Sequence, residues 1–182
     1  MGRAMALGLL RAGARVAAAD LDGPALARVA EEARGAGKEK ALLTVNADLT
    51  QDASAERVVK HAIEAFGRLD ILVNNAGIGQ ETIRQDFFRA PIRFWEVDPA
   101  QWRRVIEVNT NAQYLMARAA GIAMNECRLL EENGRRHFMT KRFDRLEGGD
   151  KLHMQSLGAL AHYDFNSAGA YSYEQALLAI RR

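Results

Sequence analysis

At 182 residues the chain is long enough to bury one substantial core, and 48% hydrophobic with 26% charged residues is the balance of an ordinary globular protein. A net charge of only +2 gives no strong field to draw in a nucleic acid or an anionic membrane, so neither partner is expected. A single cysteine, Cys127, excludes an internal disulfide and any multi-cysteine metal site; it reads as a small packing or surface residue, fits a reducing compartment, and points to a cytoplasmic protein.

The N-terminal stretch carries a short apolar run from Ala4 to Leu10 and an Ala17-Ala18-Ala19 string that mimics a cleavage site. Arg11 and Arg15 interrupt the apolar region, and no run approaches the roughly 20 apolar residues that span a bilayer, so a helix leading into a strand is the expected structure. Residues 3–12 suit that helix, closed by Gly13, and Ala14–Asp20 suits a buried parallel strand ending in an acid. Pro24 opens a helix over 24–36, a strand follows at 41–46 before Asp48, and an amphipathic helix covers 53–66. Gly67 stops that helix, and Leu69–Val73 reads as a third strand. Residues 78–98 form a long connection whose Phe87, Phe88, Phe94 and Trp95 are expected to pack it down. A strong helix runs over 99–120. Beyond residue 121 the pattern weakens: 128–147 is charge-rich, and its basic cluster at 135–145, which could bind phosphate or nucleic acid, is interspersed with Asp144 and Glu147 and expected as a solvated face; Gly148 and Gly149 mark a break, and 172–182 suits a final helix. The alternation predicts an α/β fold, a three-layer Rossmann-like parallel sheet that lacks its first strand and turns irregular after residue 120.

Three positions follow strand ends: Asp20, Asp48 and Asn74-Asn75. Open parallel sheets bind ligands at the carboxyl ends of their strands, and an acid there can accept hydrogen bonds from both ribose hydroxyls of a dinucleotide while repelling a 2′-phosphate. Each acid taken singly is also a common turn or helix-cap residue. The four histidines, His61, His137, His153 and His162, lack the spacing of a zinc site, so no metal is expected.

Taken together these motifs resemble the short-chain dehydrogenase/reductase family. Gly2-Arg3-Ala4-Met5-Ala6 is similar to the end of the family's glycine-rich turn, Asp20-Leu21 to the acidic end of its second strand, and Asp48-Leu49 to its adenine-contacting pair. Leu69 to Asn75-Ala76-Gly77 is close to its most recognisable string, and Trp102 to Asn109 resembles the helix bearing its catalytic asparagine. The resemblance covers residues 2 to about 120. It implies a cofactor-binding domain at 1–120 with a divergent tail at 121–182, NAD as cofactor with NADP disfavoured by Asp20, and hydride transfer with an alcohol or carbonyl substrate. It further implies cofactor contacts from Gly2, Asp20, Leu21, Asp48, Leu49, Asn75, Ala76 and Gly77, and a proton-relay water held near Asn109. Pairing through helix 99–120 would make the chain a homo-oligomer.

The resemblance departs in two places. The chain opens at what would be the last glycine of the phosphate-binding turn, without the strand that precedes it in the family. The nearest counterpart of the family's Tyr-x-x-x-Lys is Tyr171 to Gln175, and a neutral amide cannot lower a tyrosine pKa from about 10. Ser156, fifteen residues before Tyr171, does not fit the family's serine spacing. An oxidoreductase fragment without turnover is therefore expected; the alternative is a non-catalytic nucleotide-binding or helix-mediated interaction protein. The abrupt change points to a reading-frame change or splice-like junction near residues 120–130, with a start placed inside the gene.

Overall fold

The computed structural model describes residues 1–142, 144–146, 148–152, 159, 161 and 175. Met1–Thr140 forms one compact unit and Lys141–Arg182 a second. In the first, α1 (Gly2–Arg11) leads into β1 (Val16–Asp20), then α2 (Gly23–Gly35), β2 (Leu42–Asn46) and α3 (Asp52–Phe66). Local chemistry sets these boundaries. The Asp22 carboxylate accepts the Ala25 N–H at 2.9 Å to cap α2, with Pro24 in its first turn. Gly67, at φ +80°, ends α3 in a left-handed conformation that other residues adopt only under strain.

Strands β1 and β2 pair in parallel with Val16 opposite Leu42 and Asp20 opposite Asn46. Helix α1 packs on α2, and β2 touches both α2 and α3, which is the layered α/β arrangement expected. Ala6, Leu10, Leu26, Val29 and Ala33 are buried along α1 and α2. The larger core joins Val45 and Ala47 to Ala55, Val58 and Val59 of α3 and to Tyr114, Leu115 and Met116 further along, with Leu49, Leu69 and Leu72 packed against it.

The third expected strand does not form. Leu69–Val73 joins no sheet, and among the described residues β1 has only β2 as a neighbour. A parallel strand is made by its ladder partner rather than by its own sequence, so the apolar run packs Leu69 and Leu72 inward and leaves Ile71 and Val73 exposed.

The expected helix at 99–120 is present but interrupted. Asp98 caps α4 (Pro99–Ile106) through the N–H groups of Ala100 and Gln101, a π-helical turn covers Glu107–Asn111, and α5 (Ala112–Ala119) completes it. The charge-rich stretch is solvated as expected, Arg136 excepted, and it folds as a hairpin: β3 (Cys127–Glu132) pairs antiparallel with β4 (Arg135–Thr140). Its turn, Asn133-Gly134, takes positive φ at both residues, as a tight two-residue hairpin requires. In the second unit the Leu152 N–H donates to Asp144 O at 2.9 Å, and Arg142 pairs with Asp144, whose carboxyl it holds below the ordinary range.

Candidate functional site

Two close approaches assemble the site. A Cβ on Gly2 would lie 2.9 Å from Asn75 Nδ2, so the start of α1 comes close to the end of the 69–75 segment and a side chain there would displace the Asn75 amide. A Cβ on Gly77 would lie 3.2 Å from Asn109 Oδ1, a tight contact between the same segment and the π-helical turn. Asn109 then grips the next residue at both backbone groups: its Oδ1 accepts the Ile78 N–H at 2.9 Å, and its Nδ2 donates to Ile78 O at 2.8 Å.

The π turn is where such a grip can be built. A π-helical residue widens the helix and swings side chains out of the usual register, and these turns occur often at functional positions. One turn after Asn109, Gln113 extends the seam: its Nε2 donates to Ala76 O at 3.5 Å and its O accepts from Asn74 Nδ2 at 3.4 Å. Sequence reasoning missed Gln113, although its i+4 spacing from Asn109 places it on the same helix face.

At the strand ends, Asp20 and Asn46 sit opposite each other. Asn46 Nδ2 donates to the carbonyls of both Asp20 (3.1 Å) and Leu21 (2.9 Å), fixing the turn after β1. One Asp20 carboxylate oxygen accepts the Asp22 N–H at 2.9 Å; the other makes no hydrogen bond among the described residues. Leu21 is exposed beside it. Asp48 is more committed: Oδ1 accepts Thr50 Oγ1 at 2.7 Å and Thr50 N at 3.0 Å. The Thr50 hydroxyl, then its N–H, hold the Asp48 carboxyl below its ordinary value against the opposing effect of burial. Leu49 turns inward onto the core.

Thus Gly2, Asn75, Gly77 and Asn109 come together, with Ala76 tied to them through Gln113, while Asp20 with Leu21 and Asp48 with Leu49 stand at the ends of β1 and β2. Ser156 and Tyr171, with His153 and His162, lie outside the described residues. Among the described residues no group of three or more His, Cys, Asp or Glu could hold a metal ion, and no helix is long and apolar enough to cross a membrane.

A second polar cluster joins the hairpin to the helices. Arg136, 17% exposed, pairs with Glu107 at 2.5 Å, with Asp52, and with Thr50 O at 3.0 Å. The Glu107 carboxylate, followed by Asp52, raises the Arg136 pKa despite burial. Glu107 also accepts from Asn111 Nδ2 at 2.8 Å, so the π turn itself is braced. Tyr114 Oη donates to Cys127 O at 2.9 Å on the same joint.

Residues 1–135 match the short chain dehydrogenase family, and residues 92–182 match the HipA-like C-terminal domain, the two overlapping over 92–135. The trans-4-hydroxycyclohexanecarboxylate dehydrogenase of Sinomonas cyclohexanicum is 40% identical over 129 residues, covering 68% of this chain and 46% of that protein. The 3-ketoacyl-(acyl-carrier-protein) reductase of Brucella melitensis, solved with NADH, is 34% identical with a TM-score of 0.52, over 64% of this chain and 43% of that one. A metagenomic short-chain oxidoreductase solved with NADP is 32% identical with a TM-score of 0.56, over 66% and 49%. The chain therefore spans less than half the length of each of these proteins.

Proposed function

Because the chain belongs to the short chain dehydrogenase family through residues 1–135, we propose that this part is the nicotinamide-binding portion of an oxidoreductase acting on alcohol or carbonyl compounds. The observation that carries the reading is the meeting of Gly2 with Asn75 and of Gly77 with Asn109: glycines in close contact with these amides, beside a helix start, leave backbone that a dinucleotide can approach closely. Gly2, Asn75, Ala76 and Gly77 would face it, Asp20 and Leu21 would take the adenosine ribose, and Asp48-Leu49 the adenine. The cofactor supplies the hydride; the chain's own residues orient it, and Asn109 fixes the backbone at Ile78 beside it.

The free oxygen of Asp20 favours NAD(H), since a 2′-phosphate there would meet a carboxylate. No tyrosine in the chain is followed four residues later by lysine, so we assign binding without turnover. Titration with NADH and NADPH, read by cofactor fluorescence polarisation, tests this. Tighter NADH binding is expected, and Asp20→Ala is expected to narrow the gap. Equal affinity of the unaltered chain for both would defeat the assignment of NAD, and steady NADH oxidation with any ketone would defeat the assignment of no turnover.

A second reading concerns the tail. The match of residues 92–182 to the HipA-like C-terminal domain favours a join of two coding sequences near residue 121 over a reading-frame change, because a shifted frame carries no family pattern. Single DNA reads crossing codon 121 in frame would support the join, and reads that place the two parts in separate genes would sink it.

A further inference from the structure

Two loops reach the candidate site, and they are held very differently. The 78–98 connection does not pack its rings down as its sequence suggests: Phe88, Phe94 and Trp95 stand exposed. The turn that leaves β1 is clamped instead. Asp20 O accepts the Ala47 N–H at 3.0 Å, just beyond β2. The Asn46 amide then donates to that same oxygen at 3.1 Å and to Leu21 O at 2.9 Å, so both of its N–H groups are spent on this turn. Register places Asn46 for the task, opposite Asp20 across the parallel pair, with its own carbonyl accepting from Arg57 Nη2 at 3.5 Å.

The Leu21 carbonyl and the Asp22 N–H belong to one planar peptide unit and point in opposite directions. Asn46 takes the oxygen side at 2.9 Å, and Asp20 Oδ1 takes the hydrogen side at 2.9 Å. A single peptide plane is therefore gripped between two side chains. The Asp20 bond lasts as long as that plane does not turn, and Asn46 opposes the turn. The Asp22 carboxylate is engaged elsewhere, capping α2, so it competes for neither end. With one Asp20 oxygen fixed in this way, the direction of the second is fixed too.

We propose that Asn46 is a positioning residue for cofactor selectivity. It acts through the 21–22 peptide plane, which sets the way the Asp20 carboxylate faces the adenosine ribose. The inference rests on the nicotinamide-binding reading and deepens it, since Asn46 stands behind the preference for NAD(H) without touching the cofactor.

NADH and NADPH are titrated by fluorescence polarisation into the full chain, Asn46→Ala, Asp20→Ala and the double variant. Asn46 is exposed, so its truncation leaves no cavity. Once the plane is released, the Asp20 side chain spreads over about three staggered wells, and NADH affinity should fall roughly threefold as the competent fraction falls. NADPH gains nothing from that carboxylate and should not weaken, so the preference for NADH narrows by a similar factor. In the Asp20→Ala background, Asn46→Ala should leave the preference unchanged. In the cofactor-free chain, exchange of the Asp22 amide followed by NMR should quicken in Asn46→Ala, while the amides of Val29 to Ala33 inside α2 hold. A structural Asn46 would weaken both cofactors alike, with or without Asp20. A preference unmoved by Asn46→Ala, or moved equally in the Asp20→Ala background, therefore overturns the proposal, as does unaltered Asp22 exchange. Binding of neither cofactor by the unaltered chain defeats the nicotinamide-binding reading and this inference with it. NADH preferred, but indifferently to Asn46, sinks this inference alone.

Discussion

Asn109 does for Ile78 what a neighbouring strand would do, accepting its N–H at 2.9 Å and donating to its C=O at 2.8 Å. The 69–77 segment has no ladder, so this single amide registers its end against the π turn. Asn109→Leu removes both bonds and leaves two partly buried backbone groups unmatched, a cost of about 1–3 kcal/mol. Asn109→Asp keeps the acceptor and loses the donor, and should cost about half as much. Urea denaturation of the two variants measures this, and equal midpoints for both would show that the bond from the Ile78 N–H contributes nothing.

Arg136 links the hairpin to two helices that lie far away in sequence, at Glu107 and Asp52. Arg136→Met keeps much of the side-chain volume but strands two carboxylates around a partly buried position, so destabilisation of roughly 2–3 kcal/mol is expected. Hydrogen exchange should quicken first in Cys127–Thr140. Uniform quickening over α1 and α2 instead would mean that the hairpin and the helices open as one unit.

Much of this was legible in the sequence because it depends on neighbours along the chain. Pro24, Gly67 and the apolar spacing of α3 specify helices and stops by local rules, and the expected boundaries lie within a residue or two of those found. Leu69–Val73 reads as a strand for its composition, but a strand exists only with a partner, and no local signal reports whether one is present. The hairpin did leave a signal, Asn133-Gly134, that the surrounding charges masked. Motif and spacing singled out Asn75, Gly77 and Asn109, and the fold brings Gly77 against Asn109. Arg136 was not singled out, because its partners are 29 and 84 residues away and every arginine in a charged run looks alike until the fold chooses one.

Asp48 should contribute to acid sensitivity, alongside Glu32 held down by Arg3 and Asp144 held down by Arg142. The folded-state pKa of Asp48 is depressed, chiefly by the Thr50 hydroxyl, so its stabilising contribution is complete above the unfolded value near 4 and is lost as pH falls through the lower folded value. Thr50→Val removes the hydroxyl donor while keeping the backbone N–H, and should flatten the loss of stability below about pH 4. Denaturation midpoints at pH 3 and pH 6 test this. If the variant loses as much stability between them as the unaltered chain, another carboxylate governs the acid limb.

Gly2 and Gly8 lie in the same helix, yet alanine should affect them differently. A Cβ at Gly8 meets only Arg11 Nη2 at 3.9 Å, an ordinary contact, so Gly8→Ala should stabilise the chain by roughly 0.5–1 kcal/mol through helix propensity. A Cβ at Gly2 would lie 2.9 Å from Asn75 Nδ2, and the Asn75 side chain must swing away to admit it. Because that amide is the movable end of an exposed side chain, stability should change by less than about 0.5 kcal/mol. The backbone surface offered to a dinucleotide is altered, however, and NADH affinity should fall by roughly fivefold, about 1 kcal/mol. Gly8→Ala should leave NADH affinity where it was. Thermal midpoints and NADH polarisation on the two variants decide the matter: an unchanged affinity in Gly2→Ala would remove Gly2 from the cofactor surface, while a large loss of stability would show that Asn75 is held more firmly than its exposure implies.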